Sequence, residues 1–438
     1  MDQTEALIIE TIDRHREEIL EFARDIYSHA ELGYKEFQTS EKFVKKMEQL
    51  GLRTEKGFAI TGVKSYLNED KKENASLALL GELDALRIPE HTFANPETNA
   101  AHCCGHHAQM AGVFGAALAL TVPEIAEKLD GQVVFFATPA EEYGEIEFKN
   151  QLREQGKIRY GGGKCELLRI GAFDDIDLCL THHIRPGNEI LVGSGTGNGF
   201  VSKVIRVLGK ASHAAGAPEK GVNALSAASL GLQALGLNRE TFRDEDCVRV
   251  HPIITKGGNL VNVIPDEVVV ETLVRGKTIE AFTDAAKKTD RSFKAGAVAM
   301  GAKVEISTLP GYLPTLAEEA LPELKHAAEI SASGIPVIEA SGHAGGSTDV
   351  GDVQHLMPVY TFNTGGVKGG LHQIDFEVTN EEEAYIVTAK MFALAAYGLL
   401  KGKAQRSREL VDQYEPVFKN SAEYVEFMEQ FDSKEIFE

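Results

Sequence analysis

The run Gln132-Val-Val-Phe-Phe-Ala137 passes directly into Thr138-Pro-Ala-Glu-Glu-Tyr-Gly144. Apolar, β-favouring residues that stop at a proline predict a buried parallel strand opening into a loop. In an open α/β sheet, ligands bind just beyond the carboxyl ends of such strands. The adjacent carboxylates Glu141 and Glu142 are therefore expected at one of those ends. Successive side chains of extended backbone point apart, so one acid can ligate a cation while its neighbour faces a water. An isolated acidic pair is more often a solvated turn, and recurrence of the pattern elsewhere in the chain decides between the two.

The pattern recurs three times. Ala75-Ser-Leu-Ala-Leu-Leu-Gly-Glu-Leu-Asp84 reads as a strand ending on an acid, followed by the cluster His102-Cys-Cys-Gly-His-His107. Asp177-Leu-Cys-Leu-Thr-His-His183 is a short strand ending on histidines, and Pro358-Val-Tyr-Thr-Phe362 leads through glycines to Leu371-His372. Cys104 and His106 flank Gly105, whose adaptable backbone lets both reach one ion. Thiolate, imidazole and carboxylate together suit zinc, manganese, cobalt or nickel better than calcium or magnesium. His102, His107 and His182 read as packing residues. A nucleophilic Cys103 or Cys104 paired with a histidine is the rival account, but it leaves Glu141, Glu142 and His372 without a task.

Residues 5–50 show helical spacing broken at His29-Ala-Glu-Leu-Gly33, and Ala108–Leu120 is a small-residue helix suited to close packing on a sheet. Between 197 and 308 the character changes. Partly alternating strands at Phe200–Leu208 and within Thr255–Val274, helices at Val222–Leu237 and Thr278–Met300, and a closing strand at Ala302–Ser307 predict an α+β unit. The expected organisation is an α/β catalytic domain, a mixed sheet flanked by helices, formed by residues 1–196 and 309–438, with an α+β domain of residues 197–308 inserted in it. The run Gly193-Ser-Gly-Thr-Gly-Asn-Gly199 places Asn198 where a dinucleotide fingerprint needs glycine and precedes a strand, so it reads as a hinge.

With 438 residues, two domains are expected in any case. A formal net charge of -21 argues against nucleic acid and anionic membrane surfaces, though a bound dication would dominate its own surroundings. The first residues lack the basic flank and apolar core of a signal peptide, and no segment is expected to reach the roughly 18 apolar residues of a membrane span. Five cysteines, an odd number, suit a reducing compartment. A soluble, cytoplasmic protein is the expectation.

Gly81-Glu-Leu-Asp-Ala-Leu86, His102-Cys-Cys-Gly-His106, Pro139-Ala-Glu-Glu142, His183-Ile-Arg-Pro186, Ser212-His-Ala-Ala215, Asn262-Val-Ile-Pro265 and Leu371-His372 occur in a characteristic order. In these motifs the chain resembles the two-metal amidohydrolases of the aminoacylase and hippurate hydrolase type, especially those similar to aminobenzoyl-glutamate hydrolase. The resemblance spans about His29 to Phe376. It implies two divalent transition-metal ions per subunit held by Cys104, His106, Glu142, His183 and His372, with the thiolate shared. It also implies Glu141 as general base for a metal-activated water and His213 as a donor reaching the active site of a partner subunit in a homodimer formed through the inserted domain. Asn262 and Arg275 are the expected contacts for a substrate carboxylate or amide oxygen. The substrate so implied is an N-acyl or N-aroyl amino acid or a small dipeptide.

Three departures from that pattern stand out. His107 replaces a usual aspartate, a charged insertion runs from Glu145 to Tyr160 as a possible lid, and Gly346-Ser-Thr-Asp-Val-Gly-Asp352 replaces a Ser-Glu-Asp-Phe sequence. Against the hydrolase stand two other expectations, a non-catalytic metal-binding scaffold and a thiol-dependent hydrolase using Cys104.

Overall fold

A computed structural model describes residues 1–332 and 334–438. The chain divides into two compact units, the first formed by Met1–Gly195, Leu316–Gly342 and Asp352–Ser421, the second by Thr196–Thr315, His343–Gly351 and Ala422–Glu438. The glycine run at 193–199 contains the first crossover. The crossover placed at 308 from sequence falls inside the strand Lys303–Tyr312, and the second unit also takes in 343–351 and the last 17 residues.

The first unit is built on an eight-stranded mixed sheet. Its strands are β1 (Arg53–Phe58), β2 (Gly62–Leu67), β3 (Ser76–Glu82), β4 (Gln132–Thr138), β5 (Leu178–Ile184), β6 (Ile190–Val192), β7 (Val337–Glu339) and β8 (Val359–Thr364), in the spatial order β1-β2-β4-β3-β5-β8-β6-β7. The four central neighbours β4, β3, β5 and β8 run parallel to one another. Their carboxyl ends therefore share one edge, which is why the four apolar runs of the sequence converge. β3 and β4 are buried at every position, as expected where both faces are covered.

The helix His106–Leu120 is also buried throughout. Alanines and glycines along it allow close approach to β3, to Gln3–Arg14 and to Thr388–Leu400, and a helix apolar on all sides belongs inside. The expectation that no segment is long and apolar enough to span a membrane needs correction. Glu382–Leu400 meets that test by length and composition, but 94% of it is buried within the protein, where Met391, Phe392 and Leu399 join the main core.

In the six-stranded sheet of the second unit the pairings are antiparallel, while Thr196–Gly197 and His343–Ala344 form a separate short parallel pair. Glu267–Gly276 and Gly199–Leu208 form its centre, and Ala224–Asn238 and Ile279–Met300 supply Ala227, Ala228, Leu235, Phe293 and Ala297 to one core with Ile205, Val207, Val268 and Ile306. The closing strand is longer than expected, Lys303–Tyr312, because its far end continues to pair with the start of Gly199–Leu208. Ser433–Phe437 adds a further strand, joined through helices Gln405–Gln413 and Ser421–Glu429, so the tail is structured. Its charged, short strand carries little periodic signal. All five cysteines are free.

Glu318 is a half-buried residue of the first unit whose carboxyl accepts from the Thr361 amide and from Gln354 Nε2. Burial pushes it up to about 8, against a usual 4.5, and the Thr361 amide offsets only part of this. A raised acid costs the fold nothing below its unfolded value and progressively more as pH rises towards the folded one. Glu318→Gln should therefore stabilise the protein relative to wild type at about pH 8 by on the order of a few kcal/mol, and hardly at about pH 5. Urea denaturation at both pH values measures this, and an equal difference at the two would refute the assignment.

Candidate metal centre

The shared sheet edge delivers its side chains through unusual backbone. Beyond β4, Ala140 adopts φ 48°, a left-handed conformation costly for a residue with a β-carbon. Its amide donates to Glu36 Oε1 at 2.8 Å and its carbonyl accepts from Gly163 N at 3.0 Å, and so the turn presenting Glu141 and Glu142 is fixed. His372, in the loop after β8, has φ 63° and its amide donates to the Cys103 carbonyl at 2.9 Å. Gly105, at φ 89°, begins the helix His106–Leu120. A β-carbon there would stand 2.0 Å from Ile184 Cγ2, so only glycine lets Cys104 and His106 approach β5.

The five residues singled out as ligands come together in the first unit. Cys104 Sγ lies 3.3 Å from both His183 Nε2 and His372 Nε2, and His372 Nε2 is 3.1 Å from Glu142 Oε1. Two overlapping triplets, Cys104–His106–His183 and Cys104–Glu142–His372, have donor atoms within 4.8 Å of one another and share the thiol. Glu141 lies to one side, Oε2 3.9 Å from His106 Nε2.

Hydrogen bonding fixes which imidazole nitrogens face this centre. His183 Nδ1 donates to the Ile184 carbonyl and His106 Nδ1 to the Asp84 carbonyl, both at 2.8 Å. Each Nε2 is left to bind a cation, the usual way a second partner sets a metal-ligating histidine. His106 Nε2 and Glu142 Oε1 are buried and make no hydrogen bond among the described residues. Orphaned donor atoms of this kind, beside a thiol, fit a transition-metal pair.

Electrostatics support the same reading. Burial opposes a charged His106 ring, yet Glu82, Cys104 and Asp84 outweigh it and raise the ring well above its usual range. With Nδ1 committed to the Asp84 carbonyl, a proton and a cation would compete for Nε2. Burial, then Glu142, pushes the Cys104 thiol well up, which works against a free thiolate nucleophile. Burial likewise opposes charge on Glu142, but His372 and His106 bring its carboxyl below its usual value.

The spacing of the motifs does not identify every participant. Asp84, fully buried, has Oδ1 3.1 Å from His106 Nδ1 and accepts from Glu142 N on Oδ2 at 2.9 Å. The Glu145–Tyr160 insertion contains the helix Ile146–Glu154, whose buried Lys149 donates to the Glu142 carbonyl at 2.6 Å. A buried lysine inside a charged insertion has no signature in sequence. His107 Nε2 contacts Tyr385 Oη at 3.1 Å, His182 Nε2 contacts Thr364 Oγ1 at 2.8 Å, and His102 is buried.

His213, Asn262 and Arg275 belong to the second unit. His213 is exposed, and its Nδ1 accepts from the amides of Ala215 and Gly216, which leaves the proton on Nε2. The Asn262 carbonyl accepts from Ala214 N at 3.0 Å, so His213 and Asn262 sit on adjoining segments. Arg275 is the next-to-last residue of the strand Glu267–Gly276, half-buried, 5.9 Å from the Phe200 ring.

Fold and site combine a mixed α/β sheet with clustered metal-type donors at the carboxyl edge of its parallel strands. The model of peptidase family M20/M25/M40 matches residues 78–397, and the chain belongs to that family. The Xaa-Arg dipeptidase of Mus musculus is 28% identical over 311 residues, covering 69% of this chain and 64% of its own length. A p-aminobenzoyl-glutamate hydrolase polypeptide of Escherichia coli is 27% identical over 283 residues, 63% of this chain and 54% of its own length. The matched stretches thus span less than two thirds of either relative. A solved Bacillus subtilis structure, described as a dinuclear metal-binding peptidase of the M20 family, shares the fold with a TM-score of 0.61 and 23% identity, covering 89% of this chain and 99% of its own.

Because a cation competes with protons for His106 Nε2 and Cys104 Sγ, zinc uptake by the metal-free protein should release protons, and its apparent affinity should fall between about pH 8 and about pH 6. Calorimetry in buffers of different ionisation enthalpy reads both effects. An affinity independent of pH would refute the competition.

Proposed function

We propose that this chain hydrolyses the amide bond of an N-acyl or N-aroyl amino acid, or of a small dipeptide, at a centre of two transition-metal ions. The observation that carries the reading is Cys104 Sγ set equally between His183 and His372, with Glu142 beside His372 and Glu141 on the His106 side. Cys104, His106, Glu142, His183 and His372 would hold the ions. When bound, such ions bring the pKa of water to about 7 and polarise a carbonyl. Glu141 takes the proton of the attacking water and delivers it to the departing amine nitrogen. Its low exposure and fixed turn hold the carboxylate ready for both transfers.

The substrate class draws support from the names of the relatives, a dipeptidase and an aroyl-amino-acid hydrolase, both of which describe release of an amino acid. Arg275 and Asn262 would bind the substrate's carboxylate or amide oxygen. His213 of the partner subunit, donating from Nε2, would meet negative charge developing on the carbonyl oxygen. A homodimer through the second unit and a cytoplasmic location belong to the same proposal, the latter supported by five free thiols.

Glu141→Gln should lower turnover of an N-acyl amino acid panel about a hundredfold or more while leaving ions per chain unchanged. Activity retained in that variant, or activity indifferent to chelation in wild type, would sink the reading. Arg275→Ala should erase preference for substrates with a free carboxylate over their amides, and unchanged selectivity would remove Arg275 from the site.

A further inference from the structure

Glu82, the last residue of β3, stands outside the five proposed ligands although it completes a third candidate triplet, Glu82–His106–Glu141. Its Oε2 is 3.1 Å from His106 Nε2, close enough to share a cation held there. Both of its oxygens are engaged elsewhere. Oε1 accepts from Lys164 Nζ at 2.5 Å and Oε2 from Gln109 Nε2 at 2.8 Å, while the Glu82 amide donates to Gln109 Oε1 at 2.8 Å. Gln109 lies one turn into the helix that His106 begins, so the clamp and the proposed ligand share one rigid element.

Lys164 is completely buried, and Glu82 is 3% exposed. Two such charges persist in an interior only when they face each other. The lysine is placed by the same backbone that carries the acidic pair. Gly163, just before it, donates its amide to the Ala140 carbonyl, and a β-carbon at Gly163 would stand 1.6 Å from the Pro139 carbonyl oxygen. Lys164 is thus locked against the turn leading to Glu141.

We infer that Lys164, with Gln109, holds Glu82 as a neutralised carboxylate beside the metal centre, withheld from coordination, and so sets how tightly the centre takes its cations. The inference rests on the two-metal reading. Its physical content is a pair of effects of opposite sign. Without the ammonium, Glu82 becomes an uncompensated carboxylate with an oxygen released towards His106 Nε2, and cations bind more tightly. Without the carboxylate charge, a buried ammonium remains close to the centre and repels them. Lys164 is a positioning residue, acting through Glu82.

Metal-free wild type, Lys164→Met, Glu82→Gln, the double variant and Lys164→Arg can be titrated with Zn2+ against a chromophoric chelator, with ions per chain counted by mass spectrometry. Lys164→Met should tighten binding about tenfold or more and Glu82→Gln weaken it by a similar factor, while the double variant and Lys164→Arg stay within about threefold of wild type. A merely structural pair would move both single variants towards weaker binding, and that result, or no shift in either, overturns the inference. Should a single variant fail to fold, the two charge-balanced variants carry the test, and a loss of about tenfold or more in either overturns it. Wild type that takes up no zinc would instead refute the two-metal reading.

Discussion

The carboxylate of Asp84 ties the site together. It lies beyond the end of β3, fully buried, with one oxygen beside His106 Nδ1 and the other accepting the amide of Glu142. Three chain segments far apart in sequence are thereby registered on one group. If Asp84 moved, His106 would lose a partner that fixes its tautomer, and the turn after β4 would lose the anchor of its second acid. Parallel pairing of β4, β3 and β5 brings these ends within reach, and Asp84 converts nearness into fixed geometry.

Such a concentration of acids cannot be left uncompensated in an interior. Glu82, Asp84, Glu141 and Glu142 crowd one sheet edge, and Glu36 beneath them has its carboxyl pushed up to about 7 by burial and by Asp84. The chain answers with buried cations from one stretch, Lys149 on the Glu142 carbonyl and Lys164 on Glu82. Divalent ions at the proposed ligands would neutralise the remainder. The 145–160 insertion and the lysine after its glycine run therefore belong to the charge balance of the centre. Two left-handed residues at the site that are not glycine, Ala140 and His372, are held by hydrogen bonds from outside their own loops.

Much of this was legible along the chain because apolar runs ending on ligand-type residues are a local pattern. Glu141, Glu142, His183 and the Cys104–His106 pair each follow or end such a run, and His372 follows a strand through glycines. The two lysines were not legible, since a lysine in a charged segment reads as solvated until its surroundings are known. Glu82 was hidden for the opposite reason: within an apolar strand it looked like part of the motif that ends on Asp84. The C-terminal strand escaped notice because edge pairing needs a partner, here Lys303–Tyr312, and not a strong pattern of its own.

The sequence by itself determined the kinds of element, the α/β character of the first unit, the α+β character of the second and the chemistry of the donors, because periodicity and residue type are properties of short stretches. Tertiary structure alone decided that the four parallel strands are neighbours, that Cys104 stands between two histidines, and which imidazole nitrogens face the centre. It also decided which charges are buried against which. Those outcomes depend on strand order and on contacts between residues up to 268 positions apart, as between Cys104 and His372, and no local pattern encodes them.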